Sequence, residues 1–197
     1  PAEFHGGSTE PEPVLMQVHL FAWTQAGGAD RLTPCNDLLV APPIFTLDPG
    51  QSQIIRLGSR GTSQISREAA YRVIVGEVPT NKSEGIRFIV RLSLPIFVEP
   101  ANAKGPNPRW SVEPIDPKHI RLTLNNSGDE HMRIQSLQIL AEPDETNLYK
   151  GALSAYVLSG QRLSWVLSLK NPGSSRIRIE AMTENGALSQ DLTLDKS

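Results

Sequence analysis

Cysteine is almost absent. Cys35 is the only one in 197 residues, so the chain can close no intramolecular disulfide and build no cysteine-based zinc site; a lone thiol reads as a small apolar residue in or near a core. Long apolar runs are missing as well, none approaching the ~18 residues of a membrane-spanning helix, which argues against membrane insertion. Neither sign of charge prevails: the net charge is −2 and the pI near 6.1, leaving no general basic surface for nucleic acid or an anionic membrane. Catalytic signatures are lacking too. There is no GxSxG elbow and no Walker or dinucleotide glycine loop, and His5, His19, His119 and His131 have no metal-site spacing. Gly58 to Ser63 is rich in small residues but lacks the helix and lysine that a phosphate loop needs. The expectation is a protein that is not an enzyme and has no catalytic residue, metal or cofactor.

What the chain has is punctuation. Its 16 prolines and 15 glycines are spread along the length and interrupt apolar patterns before they can grow into long helices. Hydrophobic residues at 39% and charged ones at 20% suit a folded core rather than disorder. The composition therefore predicts short strands joined by turns. Pro1 opens the chain without methionine or signal peptide, as a mature or engineered start would.

Val14 to Trp23 alternates, with Val14, Met16, Val18 and Leu20 on one face and Gln17 and His19 on the other, as a half-buried strand does. Leu38 to Phe45 is cut by Pro42-Pro43 and fits an edge, a bulge or a strand that changes sheets, with either proline open to a cis bond. Asp48-Pro49-Gly50 is a tight turn before Gln53 to Leu57, and Ala70 to Val75 is the next strand. Glu99 to Pro108, with three prolines and no apolar period, reads as a linker. Beyond it, Trp110–Ile115, Ile120–Leu124, Met132–Leu140, Leu163–Leu167 and Ile177–Met182 read as strands, and Asn185-Gly186 as the turn of a hairpin closing with Leu188–Leu194. Two blocks of short strands predict an all-β chain of two consecutive immunoglobulin-like sandwiches, over residues 1–99 and 100–197.

The most regular row is in the first block. Ile86, Phe88, Val90, Leu92, Leu94, Ile96 and Val98 fall on alternate positions, with Arg87, Arg91 and Ser93 between them. In a strand these seven share one face. Such a face is either the inside of a sandwich or a strip for another chain, and periodicity alone leaves both open.

Taken in order, Val18-His19-Leu20-Phe21-Ala22-Trp23, Leu32-Thr33-Pro34, Pro42-Pro43-Ile44-Phe45, Leu47-Asp48-Pro49-Gly50, Gln53-Ile54-Ile55-Arg56, Tyr71-Arg72, Glu77-Val78-Pro79 and Arg91 to Val98 resemble the periplasmic pilus-assembly chaperones of the chaperone–usher pathway. The archaic, Csu-like branch is the most similar. Trp110, Leu122 to Asn126, Gly151, Ala155 to Leu158 and Trp165 fit its second domain. The resemblance implies two immunoglobulin-like domains at an angle with a cleft between them. It also implies a function in the periplasm: pilus subunits (pilins) lack their last strand, and the chaperone lends its own by β-strand addition before delivering them to an outer-membrane usher. Ile86, Phe88, Val90 and Leu92 would be the plugs. At about 1.5 to 3 kcal/mol per large apolar side chain, four would contribute roughly 6 to 12 kcal/mol before association costs. The subunit's C-terminal carboxylate would be held by arginine, with Arg72 and Arg91 as the best matches and Arg87 as an alternative, because the lysine position of better-known branches reads as Pro95. Pro1 to Glu12 looks too short and too polar to supply the family's first strand. An exposed strip would also invite self-association. The competing expectation is a structural or adhesive immunoglobulin-like module whose row is packed internally.

Overall fold

The computed structural model describes residues 2–7, 12–61, 65–79, 89–170 and 173–194, the first of these ranges by its backbone alone. The described residues form fifteen strands and no helix, as the spread of proline and glycine requires. They divide into two compact units, one of residues 1–23, 32–64 and 69–98, the other of residues 24–31, 65–68 and 99–197.

In the first unit, β1 (Ala2–Gly7), β4 (Leu38–Ala41) and β6 (Ser52–Ser59) form a sheet in the order β1-β6-β4. The facing sheet has β3 (Ala29–Pro34), β2 (Val14–Ala26), β7 (Ala69–Glu77) and β8 (Arg91–Val98) in that order, with β5 (Ile44–Leu47) also on β2. Pro42-Pro43 separates β4 from β5, so this segment is a strand that changes sheets, and the Ala41–Pro42 bond is cis. The N-terminal stretch differs from the expectation drawn from its polarity: Ala2 to Gly7 pair with β6 from Ala2↔Leu57 to Gly7↔Ser52. Backbone pairing needs no apolar side chain. Between the sheets, Ile55 and Leu57 meet Val18, Val73 and Val75. β2 behaves as its alternation predicts, except that the buried side changes parity at Trp23.

In the second unit, β9 (Pro108–Pro114), β10 (His119–Asn126) and β13 (Arg162–Ser168) form one sheet, ordered β13-β10-β9. The other is ordered β12-β11-β14-β15, from β11 (Met132–Ala141), β12 (Thr146–Val157), β14 (Arg176–Thr183) and β15 (Gly186–Thr193). Leu122, Leu124, Ile134, Ile139, Ile177 and Ile179 are sealed between them at 0% exposure. β12 has no counterpart among the strands read from the sequence. It is an edge strand on which only Leu148 and Val157 are buried, so its apolar signal is weak. The hairpin is where Asn-Gly places it, shifted by one residue: Thr183 pairs with Gly186, leaving Glu184-Asn185 as the loop. Gly186 takes φ 116° there, a region that side chains disfavour.

Asn126 ties this unit together from a fully buried position. Its side-chain oxygen accepts from the backbone N–H of Asn107 (3.0 Å) and Gly128 (3.1 Å), and its amide donates to the carbonyls of Glu130 (2.7 Å) and Val157 (3.2 Å). Gln190 joins the two sheets similarly, accepting from the Trp110 N–H and donating to its carbonyl, both at 3.0 Å. Glu68 is buried against His131, whose Nδ1 lies 2.8 Å from its carboxylate. These residues are 63 apart, so no local spacing could link them.

Two expectations follow from these cores. Asn126→Ala strands several buried backbone groups at about 1–3 kcal/mol each; the second unit should lose roughly 3 kcal/mol or more in denaturant unfolding, and a loss below about 1 kcal/mol would contradict the role. In the first unit, burial, then Asp37 and Cys35, hold the Tyr71 hydroxyl above the ordinary tyrosine value. A raised folded pKa stabilises fully below the unfolded value of about 10 and is lost as pH rises through the folded value. Tyr71→Phe should flatten the fall of the unfolding midpoint between about pH 9 and 11; parallel curves would remove Tyr71 as its cause.

Candidate functional site

The alternating row that stood out in the sequence divides in the structure. Antiparallel pairing of β7 with β8 sets Tyr71 opposite Ile96, Val73 opposite Leu94 and Val75 opposite Leu92. The β7 residues of these pairs point into the sandwich, and Leu94 and Ile96 pack on the same core as Val73 and Val75. One step further along that face the cover ends. Leu92 is 50% exposed, Val90 52% and the neighbouring Ile89 51%. The row is therefore core at one end and open surface at the other. Ile86, Arg87 and Phe88 lie outside the described residues.

β8 is also the last strand of its sheet among the described residues. The Val90 carbonyl accepts from the Glu77 N–H at 3.1 Å, so pairing with β7 continues to this residue. Because antiparallel bonding alternates along a strand, the backbone N–H and C=O of Arg91 and Ser93 face away from β7. Pro95 falls in the same phase and has no N–H to present, which is where proline is tolerated in a sheet. The open edge thus offers donors at Arg91 and Ser93 beside the half-exposed Val90 and Leu92, and ends at Pro95.

The opposite face of this sheet holds the arginines. Its rows across β2, β7 and β8 are Gln17, Gly76 and Arg91, then His19, Ile74 and Ser93, then Phe21, Arg72 and Pro95. Arg91 is exposed and lies along Gly76, where a Cβ would come within 3.9 Å of its Cγ. A hollow of about 330 Å³ opens beside it, lined in part by Gln17, His19, Gly76 and Pro79. Arg72 is half-buried, directly across from Pro95, with its guanidinium carbon 3.8 Å from the centre of the Trp23 ring. Arg72 and Arg91 share a face but are four residues of register apart, roughly 13 Å at ~3.3 Å per residue, too far for one carboxylate to bridge by backbone position alone. Arginine suits a carboxylate because its planar donors match two oxygens at once. The stacking of Arg72 on Trp23 was not legible in the sequence. The one signal is Trp23 itself, on the polar side of an otherwise regular alternation.

The chain was compared with known proteins. Residues 8–104 match the family described as pili and flagellar-assembly chaperone, PapD N-terminal domain. No curated protein sequence matches. Among solved structures, the chain is similar to one in the CsuC–CsuE chaperone–tip adhesion subunit pre-assembly complex, from archaic chaperone–usher Csu pili of Acinetobacter baumannii. The identity is 20%, the TM-score 0.73, and the match covers 99% of this chain and 92% of that one. It is likewise similar to a chain in the Salmonella enterica SafA pilin in complex with the SafB chaperone, at 19% identity, TM-score 0.61 and 98% and 88% coverage. The E. coli chaperone DraB gives 17% identity, TM-score 0.61 and the same coverage. Residues 8–104 thus belong to the pili and flagellar-assembly chaperone, PapD N-terminal domain, family, and the chain as a whole has the fold of such chaperones.

Proposed function

We infer that this protein is a periplasmic chaperone that captures pilus subunits by donor-strand complementation and passes them to an outer-membrane usher. The observation that carries this reading is β8: the last strand of its sheet among the described residues, with the backbone groups of Arg91 and Ser93 directed away from β7 and half-exposed apolar side chains at Val90 and Leu92. β-strand addition needs both, backbone groups for affinity and alternate side chains for pockets. Burying the remaining half of Val90 and Leu92 contributes about 1 kcal/mol each. Ile86 and Phe88 continue the same alternation and are assigned to the same role from the sequence.

Within this reading the carboxylate anchor is Arg72 rather than Arg91. Pro95 stands where better-known relatives carry an anchoring lysine, and the register sets Arg72 beside it on the same face. The cation has in effect moved one strand across. Arg91, roughly 13 Å along, lies instead within the borrowed strand, between Val90 and Leu92.

Co-expression with a pilin subunit, followed by purification, tests both parts. Val90→Asp with Leu92→Asp should abolish capture while leaving the unfolding midpoint near wild type, because both side chains are already half in water. Arg72→Ala should weaken capture by about ten- to a hundredfold, the ~1.5–3 kcal/mol of a charged hydrogen-bonding group, and Arg91→Ala by less. Normal capture by the double aspartate variant would favour an immunoglobulin-like module without strand donation, and a larger loss for Arg91→Ala would reverse the anchor assignment.

A further inference from the structure

Trp23 is buried to 2% exposure although it points to the outer face of its sheet. Extending the β2–β7 register by one places it opposite Ala70, which pairs on its other side with Phe97. Trp23 and Phe97 thus occupy strands two apart, about 9.5 Å in backbone terms. Their ring centres are nonetheless only 6.0 Å from each other, tilted by 40°. The two rings lean together over the strand between them, and the methyl of Ala70 is small enough to let them. Arg72, two residues on along the same strand face, lays its guanidinium on the indole at 3.8 Å.

A guanidinium stacked in this way is fixed in plane while its N–H groups radiate from its edge. Stacking uses the face of the cation and leaves the geometry of the edge suited to a two-oxygen acceptor. An arginine in an ordinary strand position would instead sample many rotamers and lose that freedom on binding.

We propose that Trp23, admitted by the small side chain of Ala70 and braced by Phe97, is a positioning residue that holds Arg72 flat for the subunit's terminal carboxylate. The proposal rests on the reading of Arg72 as the anchor, and it assigns to the indole a role in binding strength and not only in packing.

The test uses the full chain co-expressed with a pilin subunit that it captures, in its native form and with two residues added at the subunit's C-terminus so that the carboxylate is displaced. Trp23→Leu should reduce capture of the native subunit by about tenfold, within the range of a desolvated cation–π contact, while Trp23→Phe retains most of it. The loss should be absent with the extended subunit and absent again in an Arg72→Ala background. Ala70→Leu, which parts the rings without touching Arg72 or Trp23 chemically, should reproduce the Trp23→Leu result and serves if that variant folds poorly. In the protein alone, the Arg72 Nε–H resonance should carry a ring-current shift that Trp23→Leu abolishes. Wild-type capture by both Trp23→Leu and Ala70→Leu overturns the proposal, as does an equal loss with the extended subunit, which would mark a merely structural role. Normal capture by Arg72→Ala would instead refute the anchor reading, and the positioning role with it.

Discussion

The antiparallel register between β7 and β8 is the constraint on which the rest of the first unit depends. Setting Tyr71 against Ile96 commits Leu94 and Ile96 to the core and, by the same alternation, carries Leu92 and Val90 onto that face beyond its cover. The register also places Arg72 against Pro95 and Arg91 against Gly76 on the other face. A slip of one residue would exchange the two faces completely. It would expose Leu94 and Ile96, bury Ser93, and part the arginine from the proline. The buried half of the row is therefore what aims the open half, since Leu94 and Ile96 cost several kcal/mol to misplace.

An exposed apolar edge strand is ordinarily a hazard, and folded proteins blunt it with charge, proline or a cover. β8 carries some of these devices in positions that leave donation possible. Pro95 removes an outward N–H only where the strand enters the core region, and Arg91 interrupts the row on the opposite face. Between them Arg91 and Ser93 keep their backbone groups directed outward. The edge is thus limited in length rather than sealed, which suits a strand lent for a time. Net charge, pI and composition say nothing of this, because the relevant quantity is the phase of a few backbone groups.

Much of the fold was legible in the sequence because the two cores are strictly periodic. Val14 to Leu20, Ala70 to Val75 and Ile177 to Met182 are strands in the positions their alternation predicts, and Pro42-Pro43 marks a change of sheet. β12 escaped notice because an edge strand with two buried residues has little period to show. The strand at Ala2–Gly7 escaped for a related reason, being held by backbone pairing to β6. At the candidate site, Val90 and Leu92 could be named from spacing, but their exposure depends on where the facing sheet stops. The choice between Arg72 and Arg91 depends on cross-strand neighbours, and the Trp23 stack on a small residue at position 70. None of these is a property of local sequence. Family resemblance supplied the proposed function; spacing alone left the row undecided between core and contact surface.

Amide hydrogen exchange read residue by residue, on the chaperone alone and on its purified complex with a pilin subunit, tests strand donation most directly. In the chaperone alone the Arg91 and Ser93 amides should exchange quickly, while those of Val73 and Val75 in the central strand are slow. In the complex, protection should appear at Arg91 and Ser93 as their outward N–H groups enter the subunit's sheet. An intact complex in which both amides still exchange at the rate of the chaperone alone would contradict donation by β8.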